Sequence, residues 1–264
     1  MTLIVGIRCR DGVVIAADSA ATLGGAGGMT ISQPTQKINI IDETIVVACA
    51  GSVGMGQRFS QEVDRLWTSK GFTGTKCASD VDAGMLISAA IRPHIIAEAN
   101  VAQQLRQVLP NAASGFISAA VIAMPVAKKL ALIEISETGA PEIVPLAVPF
   151  VSIGSGKALA DPFLGFLRRI FWPNSEPTLA EGTLAALWTL DQCIRTSYAF
   201  LAQPVHIAEL RIDTGFKARR LSDEELGEHR EAIRVAEQRL ATFREELTTE
   251  LNTGGDIPTP QQKP

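Results

Sequence analysis

Three stretches of this sequence are apolar at almost every position: residues 2–8, 13–18 and 44–50, the last running from Thr44 to Ala50. A strand with one wet face alternates apolar and polar residues, whereas a strand apolar on successive residues needs cover on both faces. These runs are rich in Val and Ile, which favour extended backbone. Asp11-Gly12 separates the first two, the usual signal for a tight hairpin turn. Whatever this chain folds into must therefore hold strands between two apolar layers.

A second hairpin follows. Residues 37–40 alternate, Asp42-Glu43 turns, and the run 44–50 returns, ending at Gly51-Ser52. Between the two hairpins, residues 19–34 are rich in Gly and Ser around Gly24–Gly28, which reads as a loop. Val53, Phe59, Val63 and Leu66 recur at helical spacing, so a helix is expected over 53–69. A long helical stretch spans 78–108, kinked or divided at Pro93. Strand-like runs occupy 115–124, 129–136 and 142–151. Gly154-Ser155-Gly156 then opens a helical region over 157–171, a helix covers 178–199, and a strand covers 204–212. Strict strand–helix–strand alternation is missing, which argues against a doubly wound parallel sheet. The order fits an α+β fold of four layers, two stacked sheets with helices outside both.

The C-terminal stretch differs in kind. Ser222 and Glu225 form a capping box, and Asp223-Glu224 complements the start of a helix. Leu226, Ile233, Leu240 and Leu247 recur every seven residues, with Ala236 and Phe243 between them, giving one narrow apolar seam on a charged helix. The expected organisation is a body over 2–215, a helical extension over 216–252 and a disordered tail over 253–264.

Composition excludes several functions. The 264 residues carry a formal net charge of −4, with no cluster of Lys and Arg for phosphate, so no nucleic-acid partner is expected. The four cysteines (Cys9, Cys49, Cys77, Cys193) are scattered and make neither metal-ligand spacing nor a disulfide framework. No cofactor is implied. The glycine run lacks the Lys-Ser ending of a phosphate loop. No apolar run reaches the length of a membrane span, and the N-terminus lacks the plan of a secretory signal, so a cytoplasmic location is expected. His94, His206 and His229 lie far from one another and from any Ser or Asp motif, and Trp67, Trp172 and Trp188 suit packing.

Candidate chemistry concentrates near the N-terminus. A threonine hydroxyl attacks a carbonyl only when a base takes its proton, and a free N-terminal amine on the same residue supplies one. Removal of Met1 would expose Thr2 in that state. A nearby lysine ammonium favours the neutral amine, and a carboxylate holds that lysine in place. Lys37 and Asp18 are available for these parts. Gly51, following a strand, suits a backbone N–H that meets an oxyanion. Singly, each residue has a plain alternative: Asp18 as a turn cap, Lys37 as a solvated surface lysine.

Together the motifs at Thr2–Ile7, Asp11–Thr22, Lys37-Ile38, Asp42 and Ala48–Ser52 resemble the start of a proteasome β-type subunit, and Val151–Gly156 is similar to that family's second fingerprint. The resemblance runs over most of 2–212. It implies the N-terminal-nucleophile hydrolase fold, an αββα sandwich of two antiparallel sheets, and peptide-bond cleavage through an acyl-enzyme ester. It implies Thr2 as nucleophile and base, Asp18 and Lys37 as the supporting pair, Gly51 as oxyanion donor and Ser155 as a helper near the amine. Ala21, Thr35, Cys49 and Val53 would line the pocket for the side chain preceding the cut. The partners implied are identical subunits in a ring-shaped homo-oligomer, unfolded polypeptide as substrate, and an ATPase unfoldase. The absence of a long propeptide and the C-terminal extension are most similar to a self-assembling bacterial homologue. Two departures stand out. The loop after the last long helix, Ser197–Pro204, has no Asp where the family places one, and the Asp18-to-Lys37 spacing is a few residues longer. A catalytically inactive assembly subunit and a small-amide hydrolase of the same fold remain the alternative readings.

Overall fold

The computed structural model describes residues 2–25, 28–74, 77–108, 118–196 and 201–253, with the side chains of 21–34 and 249–253 outside that description. The chain divides into a unit ending at Leu221 and a second beginning at Ser222.

In the first unit, β1 (Ile4–Cys9) and β2 (Gly12–Ala17) form the expected hairpin, with Cys9 opposite Gly12 at the turn. They sit in a five-stranded antiparallel sheet of order β10-β1-β2-β11-β12, where β10 is Phe150–Ile153, β11 His206–Arg211 and β12 Lys217–Arg220. A second antiparallel sheet runs β5-β6-β7-β8-β9, from β5 (Ile38–Ile41) and β6 (Ile45–Gly51) through β7 (Ser118–Val126) and β8 (Lys129–Ile135) to β9 (Pro141–Ile143).

Side-chain alternation explains why these strands are apolar throughout. Ile4, Val13, Ile15 and Ala17 of the first sheet share one core with Val46, Ala48, Val121 and Leu132 of the second. The intervening residues of the second sheet, Ile45, Val47, Ile122 and Ile133, face a separate core with Phe59 and Val63 of α1 (Val53–Thr68) and Ile87 and Ile91 of α2 (Asp80–Val108). On the far side, α4 (Leu179–Thr196) packs on β1 and β2, and α3 (Lys157–Phe171) packs on α4. The result is the four-layer αββα sandwich expected from the sequence.

Four local expectations need correction. The Gly-rich stretch is not a loop: β3 (Ala20–Gly25) and β4 (Gly28–Pro34) pair as an antiparallel hairpin, with a register shift at Leu23/Gly24. The Gly residues weaken a strand without forbidding one, and mutual pairing satisfies the backbone. The run 142–151 is two strands in different sheets, because Pro145 and Pro149 break it. Pro93 does not divide α2, which runs unbroken for 29 residues. Its start is fixed by a capping box in which the Asp82 carboxylate accepts the Ser79 N–H and the Ser79 hydroxyl accepts the Asp82 N–H. Finally, 217–220 is not part of a helical extension but strand β12, paired to β11. The second unit contains α5 (Asp223–Thr253), opened by the expected box between Ser222 and Glu225. The expected tail beyond 253 lies outside the described residues.

Candidate active site

Asp18 follows the last residue of β2 and is completely buried. A buried carboxylate is tolerated only when its lone pairs are met. One oxygen of Asp18 accepts the Leu3 N–H at 2.8 Å and the Lys37 ammonium at 2.6 Å; the other accepts the Ala20 N–H at 2.9 Å. The Asp18 N–H in turn donates to the Leu3 carbonyl at 3.2 Å. One side chain thus fixes the backbone next to Thr2, the start of β3 and the lysine. Beside it, the Ser19 N–H and hydroxyl both donate to the Ala202 carbonyl, at 3.0 and 3.2 Å, tying the 201–204 loop to this corner.

Lys37 precedes β5, with its side chain 7% exposed. Burial pulls its ammonium below the ordinary lysine range, and the Asp18 carboxylate opposes that pull through charge and hydrogen bonding. The Lys37 carbonyl accepts the Cys49 N–H, so the lysine runs beside the end of β6.

Thr2 is positioned from the other side. Its N–H donates to the Ser155 hydroxyl at 3.2 Å. Its carbonyl accepts the Gly156 N–H at 3.3 Å and the Ser155 hydroxyl at 3.4 Å. This approach requires Gly154, whose φ of +93° is in the left-handed region and where a Cβ would strike the Thr2 carbonyl. The Gly-Ser-Gly turn is therefore the seat of the N-terminal segment and not a bare strand-to-helix turn.

An open cavity of about 730 Å³ lies over this corner. Thr2, Lys37, Gly51 and Ser155 all line it, as do Thr35, Cys49 and Val53. Gly51, at the end of β6, has φ +108°, a second position that demands glycine. Asp18 lies beneath the lining. Ala21 belongs to β3, but its side chain lies outside the described residues; its neighbour Ala20 lines the cavity. Burial pushes the Cys49 thiol up to about 12, so it acts as a small apolar wall. Of the departing loop, 197–200 lie outside the described residues. Sequence reasoning missed Ser118, whose hydroxyl accepts the Ser52 N–H at 2.9 Å next to Gly51, and Glu137 on the cavity wall. Neither lies in a recognisable motif; only the pairing of β6 with β7 brings Ser118 to Gly51.

Known proteins share part of this sequence and the fold. Residues 2–72 match the family model for the proteasome subunit. Proteasome subunit beta 1 of Thermococcus onnurineus is 49% identical over 53 residues, 20% of this chain and 25% of the relative. Proteasome subunit beta of Methanocella paludicola is 40% identical over 60 residues, 23% of this chain and 28% of the relative. The chain thus aligns with only about a quarter of the length of these curated relatives. In structure the likeness is nearly complete: Anbu (ancestral beta-subunit) from Yersinia bercovieri superposes with a TM-score of 0.69 at 17% identity, covering 93% of this chain and 97% of that one. An Anbu mutant from Hyphomicrobium gives 0.61 at 19% identity over 90% of this chain and 97% of that one. The N-terminal quarter of the chain is similar to proteasome β-type subunits, and its fold is that of the two Anbu structures. Thr2, Asp18, Lys37 and Gly51 of this proteasome-like chain fall inside the matched segment, whereas Ser155 falls outside it.

Proposed function

We propose that the chain is a threonine-type peptidase subunit of a self-compartmentalised homo-oligomeric ring, with Thr2 as its nucleophile once Met1 is removed. The observation that carries this reading is the Lys37–Asp18 pair. A lysine ammonium held at 2.6 Å by a buried carboxylate lines the same cavity as Thr2. In most proteins such a lysine would be solvated; here its burial is sustained by Asp18, the same carboxylate that holds the Leu3 N–H next to Thr2.

The chemistry follows. The Thr2 α-amine, kept neutral by the nearby Lys37 charge, takes the hydroxyl proton as Oγ1 attacks the substrate carbonyl. The Gly51 N–H stabilises the oxyanion of the tetrahedral intermediate. Collapse expels the amine product, which takes the proton, and leaves an ester on Thr2. Water, giving a proton to the same α-amine, then attacks the ester; the acyl–Oγ1 bond breaks, the acid product leaves and Oγ1 regains the proton from the amine. Ser155, within hydrogen-bonding reach of the Thr2 nitrogen, orients that amine. Cys49, Thr35 and Val53 make a wall for a small or apolar side chain preceding the cut, with Ala21 as the fourth member of that pocket. Unfolded polypeptide is the proposed substrate, with delivery by an ATPase unfoldase, in the cytoplasm. Among the described residues no helix is long and apolar enough to cross a membrane.

Intact mass and N-terminal sequencing, combined with labelling by a peptide epoxyketone, test this. Loss of Met1 and an adduct on Thr2 that vanishes in Thr2→Ala and Lys37→Ala are expected. Retained Met1, or a free Thr2 that never reacts, would leave the assembly-subunit reading, which the missing Asp of the 197–204 loop favours. Faster turnover of small amides than of peptides would favour the amidase reading.

A further inference from the structure

Among the described residues two charged side chains line the cavity, Lys37 and Glu137. The Lys37 charge is met by Asp18 beneath it. Glu137 is exposed in the turn after β8, and among the described residues no Lys or Arg pairs with it. That turn is tied to the body of the fold. The Ser136 N–H donates to the Ala140 carbonyl at 2.8 Å, and the Ser136 hydroxyl accepts the Ala140 N–H at 3.1 Å. The Gly139 carbonyl accepts the buried Ser88 hydroxyl of α2 at 2.6 Å.

Strand register places Glu137 relative to the reacting centre. Gly51 lies opposite Ser118, and Ala120 lies opposite Ile135. Continued past Ile135, the second register sets Glu137 level with Ser118. On the other flank Ile38 lies opposite Ala48, and the Cys49 N–H donates to the Lys37 carbonyl. The same continuation there sets Thr35 level with Gly51. One row across the mouth of the site therefore reads Thr35, Gly51, Ser118, Glu137, and all four residues line the cavity. At about 4.8 Å per strand, Glu137 stands about 10 Å from Gly51.

We propose that Glu137 sets specificity by receiving a Lys or Arg side chain from the first two substrate residues after the cut. The inference rests on the peptidase reading of the cavity. At the reacting carbon, the bond to the preceding residue and the bond to the leaving nitrogen diverge. The wall for the preceding side chain (Thr35, Cys49, Val53) lies on one flank of Gly51, so the leaving segment is directed along the other, past Ser118. Two extended residues span about 7 Å, and the long stem of Lys or Arg covers the rest of the way to Glu137. A single carboxylate in a cleft attracts cations and repels acidic side chains, so it separates basic from acidic substrates.

Internally quenched peptides of one alanine-based sequence, with Arg-Arg, Gln-Gln or Glu-Glu after the cut, test this on the full-length chain. Mass spectrometry of the products locates the cut. Arg-Arg should exceed Glu-Glu in kcat/KM by about five-fold, the upper end for an exposed ion pair. Glu137→Gln should bring the three peptides within about two-fold of one another, and Glu137→Lys should reverse their order, which a merely structural role would not do. Equal cleavage of all three by a chain that reacts with epoxyketone would overturn the role of Glu137 and leave the peptidase reading standing. A preference seen only with Arg before the cut would overturn its placement on the leaving side. Should Thr2 never react, the peptidase reading fails by itself, and fluorescence anisotropy on Thr2→Ala still tests the cation site. The labelled Arg-Arg peptide should bind more tightly than the Glu-Glu peptide, and Glu137→Gln should remove the difference. Equal affinities there would overturn the proposal.

Discussion

Gly154 shows how one backbone position governs the candidate site. Its left-handed φ and the Thr2 carbonyl lying where a Cβ would project leave no room for a side chain. Gly154→Ala should destabilise the fold by about 1–3 kcal/mol, the usual cost of a forced unfavourable conformation. It should also slow epoxyketone labelling of Thr2 more than unfolding alone explains; urea denaturation and labelling kinetics measure the two effects separately. The Lys37–Asp18 pair makes a different prediction. Burial lowers the ammonium's pKa while Asp18 raises it, with burial the larger cause. Activity that needs the charged lysine should therefore fall on an alkaline limb below the ordinary lysine value of about 10.4. Asp18→Asn removes the opposing carboxylate, so the limb should move to still lower pH. A labelling-rate profile against pH reads this directly, and an unmoved limb would assign it to another group. The placement of Thr2, Lys37 and Gly51 around one cavity, with Asp18 bonded to Lys37, was legible because each sits at a strand end within a recognisable motif. Ser118 was not, because only the pairing of β6 with β7 brings it to the cavity, nor was Glu137, which reaches the cavity from the turn after β8.

At the scale of elements, legibility tracked how much cover each strand needs. β1, β2 and β6 were plain because continuous apolar residues demand two covered faces. The β3–β4 hairpin was missed because its glycines and serines mimic a loop, while its pairing partner is its own other half. β12 was missed because Lys217, Arg219 and Arg220 carry no apolar signal; only Ala218 turns inward, to the core between the sheets. The packing of α4 on the first sheet rests on a small residue. A Cβ at Gly182 would stand 2.5 Å from the Cys9 sulfur and 3.5 Å from Val14. Alanine gains about 1 kcal/mol of helix propensity over glycine, but overpacking a tight core costs about 1–3 kcal/mol. Gly182→Ala should therefore be net destabilising, and Cys9→Ala in the same chain should return part of the loss. Urea unfolding of the double-mutant cycle reads this coupling; additive effects would mean that α4 shifts outward instead of pressing on Cys9.

At the scale of the molecule, the geometry of the cavity bears on what can be cleaved. The site is an open cleft of about 730 Å³ on a single protomer, and nothing in such a cleft distinguishes a folded surface loop from an unfolded chain. Selectivity of that kind has to come from walls that the assembly supplies. On the proposed assembly, neighbouring subunits of the ring would supply those walls. The assembled particle should therefore degrade a full-length unfolded protein while sparing a folded protein of similar size by at least ten-fold, with a tetrapeptide cut regardless. Denaturing the folded substrate, or adding a competent unfoldase, should abolish the difference. Gel analysis of intact substrate over time, on the assembled fraction from size-exclusion chromatography, measures it. Equal loss of folded and unfolded substrates would mean that the cleft faces bulk solvent and that compartment walls play no part in selection.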